Sequence, residues 1–152
     1  MITSSSSQRP EPGRILLVDD NELGLRARKV VLEELGYQVT ALCCGVAALD
    51  QFRGKSFDLV VTDYKMPRLD GIELIARVRE HNPGIPAILI SGFADALGLN
   101  EANTGADVVI QKNSHEVSAL TRAVNRLLAR RLPRRPARKE ASSAARAASA
   151  GF

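Results

Sequence analysis

The 152-residue sequence has no tryptophan, only two tyrosines and four phenylalanines. Any core it forms must therefore be aliphatic. Its only cysteines are the neighbours Cys43 and Cys44. Adjacent residues cannot make an ordinary structural disulfide, and the pair lacks the spacing of a zinc site. Both are expected to be buried thiols at a strand end. The N-terminal stretch MITSSSSQRPEPGR has no apolar segment of the secretory type. No apolar run approaches the roughly 20 residues that span a bilayer. These absences lead to the expectation of a soluble, cytoplasmic protein.

An excess of one charge is also missing from most of the chain. Residues 1–131 hold 16 basic and 16 acidic side chains, so the whole net charge of +4 sits in residues 132–152. That segment, LPRRPARKEASSAARAASAGF, is rich in Pro, Ala and Arg and has little to bury. It is expected to be a disordered basic tail. With no aromatic before Phe152 and no recognition helix, nucleic acid is not its expected partner. Residues 1–13 are likewise expected to be a disordered extension, leaving one domain over residues 14–131.

What is present over 14–131 is an alternation of short apolar runs and longer helical patterns. Strands are expected at residues 15–18, 37–42, 58–62, 87–90 and 107–110. Helices are expected between and after them, at about 21–35, a short one carrying Val46, Leu49 and Phe52 inward, one capped by Asp70 and Glu73, a weaker one near 94–103 interrupted by Gly98, and a last one from a Ser114 cap to about 131. The first helix is expected to edge its apolar stripe with Leu23, Ala27 and Val30, and the last to point Val117, Leu120, Val124 and Leu128 inward. Arg122, Arg126 and Arg130 then fall on a solvated side. Five strands alternating with five helices imply an α/β fold, a doubly wound parallel sheet with right-handed crossovers.

In such sheets ligands sit beyond the carboxyl ends of the strands. Asp19 and Asp20 follow the first strand, Asp63 the third, Ser91 the fourth and Lys112 the fifth. Three carboxylates on one rim repel one another and persist most easily around a hard divalent cation. Mg²⁺ suits them, since it accepts one or two carboxylates while keeping waters and a phosphate oxygen. Lys112 adds a compact positive charge of the kind that contacts phosphate, and Ser91 a hydroxyl able to turn toward a phosphoryl oxygen. A carboxylate can itself be a nucleophile, and Asp63, at the end of the central strand, is the best candidate.

The ordered set, DD at 19–20, D-x-x-M-P-x-x-D-G at 63–71, SG at 91–92 and GAD…K at 105–112, resembles the receiver domains of response regulators over about residues 14–131. The resemblance implies a flavodoxin-like strand order 2-1-3-4-5. It implies that Asp63 accepts a phosphoryl group, that Asp20 binds Mg²⁺ directly and Asp19 through water, and that the backbone carbonyl of Lys65 is a further ligand. Ser91 would be the switch hydroxyl, and Lys112 would pair with Asp63 or its phosphoryl group. The implied partners are a sensor histidine kinase or histidine phosphotransfer protein and an unidentified downstream protein. A homodimer through the face of the fourth helix, fifth strand and last helix is a further expectation. With no output domain in the sequence after residue 131, signalling is expected through protein contacts, with self-catalysed phosphotransfer and slow autodephosphorylation but no other enzyme activity.

Two positions depart from the family pattern. Val109 stands where an aromatic residue is usual, and Asn113 where a proline usually follows the lysine. A cis bond before Asn113 would cost about 3–4 kcal/mol, so trans is expected. Both positions belong to the relay of the phosphorylated state, and they leave open a receiver that signals without phosphorylation. His81 and His115 are expected at the surface. A phosphatase of the haloacid-dehalogenase type wants a second acid two residues after the nucleophile, where this chain has Lys65. A dinucleotide-binding domain wants a glycine-rich first turn, where this chain has Asp19-Asp20-Asn21.

Overall fold

The computed structural model describes residues 11–131. The expectations for residues 1–10 and for the basic tail lie outside the described residues. Strands β1 (Arg14–Val18), β2 (Gln38–Leu42), β3 (Leu59–Asp63), β4 (Ala87–Ser91) and β5 (Val108–Gln111) form one sheet. Its order is β2-β1-β3-β4-β5 and every pairing is parallel. The helices are α1 (Glu22–Glu34), α2 (Gly45–Gly54), α3 (Gly71–His81), α4 (Ala94–Leu97), α5 (Glu101–Thr104) and α6 (Glu116–Arg131).

The continuous apolar strands are explained by two cores, one on each face of the sheet. Because successive side chains of a strand point to opposite faces, β1 splits between them. Leu16 and Val18 join Val60 and Leu89 beneath α2 and α3, packed by Leu49, Phe52, Leu74, Ile75 and Val78. Ile15 and Leu17 join Val61, Ile88 and Ile90 beneath α1 and α6, packed by Leu25, Leu32, Leu120, Val124 and Leu128. Both clusters are overwhelmingly aliphatic, as the composition requires.

Several local expectations are corrected. The weak fourth helix is two helices, giving six among the described residues. Gly98 stops α4 in the left-handed region, at φ 67°, and Asn100 starts α5 with a reciprocal cap to Asn103. The apolar stripe of α1 is rotated from the expected one. Leu23 and Val30 are 76% and 53% exposed, and Leu25, Arg28 and Leu32 face inward instead. Val46 and Val117 are exposed for the same reason, their helices being turned so that Ala48, Leu49 and Phe52 or Leu120 and Val124 meet the sheet. The last helix begins at Glu116, after Ser114, and it is Asn113 whose side chain accepts the lead-in N–H of His115, at 2.8 Å.

Cys43 is exposed and Cys44 half-buried, because β2 is an edge strand and the chain turns directly into α2. Cys44 Sγ accepts the Ala47 N–H at 3.4 Å and caps that helix. His81 and His115 are exposed as expected. Among the described residues no peptide bond is cis, and no helix is long and apolar enough to cross a membrane.

Candidate functional site

The carboxyl ends of β1 and β3 bring three acids together. Asp19 and Asp20 directly follow β1, and Asp63 is the last residue of β3. Each contributes an oxygen to a group lying within 4.8 Å of one another. Asp20 is exposed, whereas Asp63 is buried and Asp19 is only 1% exposed. Asp63 sits here because its strand is central and fully buried, and because its backbone is held from two sides. Thr62 Oγ1 donates to the Asp63 carbonyl at 2.9 Å. The turn after β3 then returns to the same place, with Gly71 N–H donating to the Tyr64 carbonyl at 2.8 Å. A Cβ on Gly71 would overlap the Asp63 carbonyl and stand 2.7 Å from Leu89 Cδ1, so only glycine fits this approach.

Lys112 follows β5 and reaches across the rim to Asp63, Nζ to Oδ1 at 2.6 Å. Its own N–H donates to the Ser91 carbonyl at 2.9 Å, which ties the ends of β4 and β5 together. Ser91 is buried at the end of β4, and its Oγ accepts the Phe93 N–H at 2.9 Å. Lys65 lies in the turn after Asp63 with an exposed side chain, its Nζ 5.9 Å from the centre of the Tyr64 ring. Asp107 of the GAD sequence is not part of the acidic group. Its Oδ2 accepts from the Ala87 N–H and from Arg79 Nη2, both at 2.8 Å, and braces β4 against α3.

Burial raises the Asp63 pKa above the ordinary carboxylate value, opposed by the Lys112 hydrogen bond and reinforced by the charge of Asp19. The site therefore holds a carboxylate that is less stable as an anion than a solvated one and that has a cation already in contact.

Sequence reasoning missed Arg28. This side chain is 7% exposed and bridges two acids, Nη1 to Asp19 Oδ2 and Nε to Glu116 Oε2 at 2.6 Å. Burial works against its charge, yet Glu116 and Asp19 hold its pKa above the usual arginine value. The signal was present. With Leu25 and Leu32, Arg28 occupies the i, i+3, i+7 spacing of an inward helical stripe, and an arginine there demands buried acidic partners.

The chain matches the response regulator receiver domain family over residues 15–125. It is 33% identical over 116 residues to the response regulator receiver protein CpdR of Brucella abortus, covering 76% of this chain and 96% of that protein. It is 34% identical over 106 residues to the transcriptional regulatory protein CseB of Streptomyces avermitilis, covering 67% of this chain but only 43% of that longer relative. Among solved structures it resembles the response regulator protein TrrA of Thermotoga maritima, solved in complex with Mg²⁺ and BeF. The TM-score is 0.68 at 28% identity, over 76% of this chain and 98% of that one. With a family match over most of its length and the strand order of that fold, this chain belongs to the response regulator receiver domain family of two-component systems.

Proposed function

We propose that Asp63 is the phosphoacceptor, taking a phosphoryl group from the phosphohistidine of a sensor histidine kinase or a histidine phosphotransfer protein. The observation that carries this reading is the contact of Lys112 with Asp63 inside a group of three carboxylates within 4.8 Å of one another. Three acids gathered this closely suit a hard divalent cation such as Mg²⁺, which takes one or two carboxylates and keeps waters. Asp20 and Asp63 are the direct carboxylate ligands in this reading, with the Lys65 carbonyl as a third. Asp19 acts through water, since its Oδ1 accepts the Asn21 N–H at 2.9 Å and its Oδ2 is paired with Arg28. When bound, Mg²⁺ neutralises the charge that builds up on the transferred group. The Mg²⁺ and BeF in the TrrA complex support the same assignment here.

The residues divide the transfer among them. Lys112 engages Oδ1 of Asp63, leaving Oδ2 to attack phosphorus. The new bond is O–P, the bond that breaks is the N–P bond of the donor histidine, and the imidazole leaves with the electron pair. Lys112 then pairs with the phosphoryl oxygens. Ser91 Oγ, released from the Phe93 N–H, turns toward the same group. The product is an aspartyl phosphate on residues 14–131, read in the cytoplasm by a downstream protein or a second copy on the face of α4 with α5, β5 and α6. Val109, half-buried in β5, takes the place of an aromatic relay on that face.

Incubation with Mg²⁺ and a small phosphodonor such as acetyl phosphate, resolved by intact-mass spectrometry, tests the assignment. The wild-type chain gains one phosphoryl group and Asp63→Asn gains none. Equal labelling of Asp63→Asn, or no labelling of wild type, would sink it.

A further inference from the structure

We infer that Arg28 is a positioning residue that shares Asp19 between the acidic group and the start of α6, and that it weakens the affinity of the site for Mg²⁺. This rests on the metal reading given above. Asp19 is the most buried of the three acids, and both of its oxygens already have partners, Oδ1 the Asn21 N–H and Oδ2 the Arg28 guanidinium. The opposite side of the guanidinium, Nε, donates to Glu116 Oε2 at 2.6 Å. Glu116 opens α6, and its side chain is largely buried too. A planar fork held at both ends has little freedom to leave.

Arg28 is therefore a second fixed cation beside Lys112. Its charge also reaches Asp63, where it favours the ionised carboxylate. A divalent ion entering the group meets acids that are partly neutralised and, in Asp19, already oriented. Gly24 makes room for this arrangement. A Cβ there would stand 3.0 Å from Asp19 Oδ2 and 3.2 Å from Arg28 Nη1.

Titration of the full chain with MgCl₂ by isothermal calorimetry, without phosphodonor, tests the inference. Arg28→Met keeps the length and apolar stem but removes the charge, and its Mg²⁺ Kd should fall roughly five- to tenfold. Glu116→Gln leaves the guanidinium more fully to Asp19, so its Kd should rise by about threefold. Glu22→Gln, an exposed acid in the first turn of α1, should leave Kd within about twofold because water screens it. A brace with no bearing on the metal would change the melting temperatures of the first two variants and leave Kd unmoved, overturning the inference. A Glu22→Gln shift as large as that of Glu116→Gln would overturn it too, because general field and not the fork would be responsible. Glu116→Gln and Glu22→Gln decide the matter if Arg28→Met does not fold. Absence of Mg²⁺ binding by the wild-type chain would overturn the metal reading itself, and this inference with it.

Discussion

Asp63 is held in the acidic group at a cost to the fold. Its folded-state pKa lies above the unfolded one, chiefly through burial. The stability linked to it is therefore fully present below the unfolded carboxylate value, near 4, and is lost as the pH rises through the folded value. At neutral pH the buried anion works against folding. Asp63→Asn should raise the unfolding free energy at pH 7, by roughly 1 kcal/mol or less once solvent screening at the rim is allowed for. The gain should vanish on titration to about pH 3, and chemical denaturation at the two pH values checks both. Gly71 shows the opposite economy, a residue with no side chain that holds Asp63 in place. Gly71→Ala should cost about 1–3 kcal/mol through the overlap with the Asp63 backbone. On the proposed reading it should also slow phosphorylation, because the Asp63 carbonyl must move.

At the scale of elements, the strands were legible because buried parallel strands are continuous apolar runs, and their ends fell within a residue or two of expectation. The helical faces were less so. Leu23, Val46 and Val117 are apolar yet exposed, and a helix rich in aliphatic residues offers more than one plausible stripe. Which stripe is buried depends on how the helix rolls on the sheet. The difference is measurable in α6. Leu120→Ala should cost ~2–5 kcal/mol, whereas Val117→Ala, one turn earlier on the exposed side, should stay within about 0.5 kcal/mol. Gly98 was legible as an interruption but not as the boundary of two helices. Its φ of 67° makes Gly98→Ala worse by ~1–2 kcal/mol.

At the scale of the whole molecule, the parallel order β2-β1-β3-β4-β5 makes one site from residues far apart in the chain. The ends of β1 and β3 are neighbours, and Lys112 after β5 still reaches Asp63. An ion bound there stabilises the entire cooperative unit. Mg²⁺ at about 100 times its Kd should raise the unfolding free energy by ~2.7 kcal/mol, and EDTA should remove the gain. Asp20→Asn should abolish most of it. A thermal melt of each form with and without the metal reads this directly.

The sequence by itself determined the strand–helix alternation, the aliphatic core and the positions of Asp19, Asp20, Asp63, Ser91 and Lys112 at strand ends. Those properties follow from local pattern, from apolar runs and from the rule that sites lie beyond the carboxyl ends of parallel strands. Only the tertiary structure decided that Arg28 is buried between Asp19 and Glu116, that the Gly71 backbone lies against the Asp63 carbonyl and that α1 turns Leu23 outward. The reason is that each depends on how two elements distant in the chain approach one another. A buried charge is specified by its partners, and Glu116 lies 88 positions from Arg28.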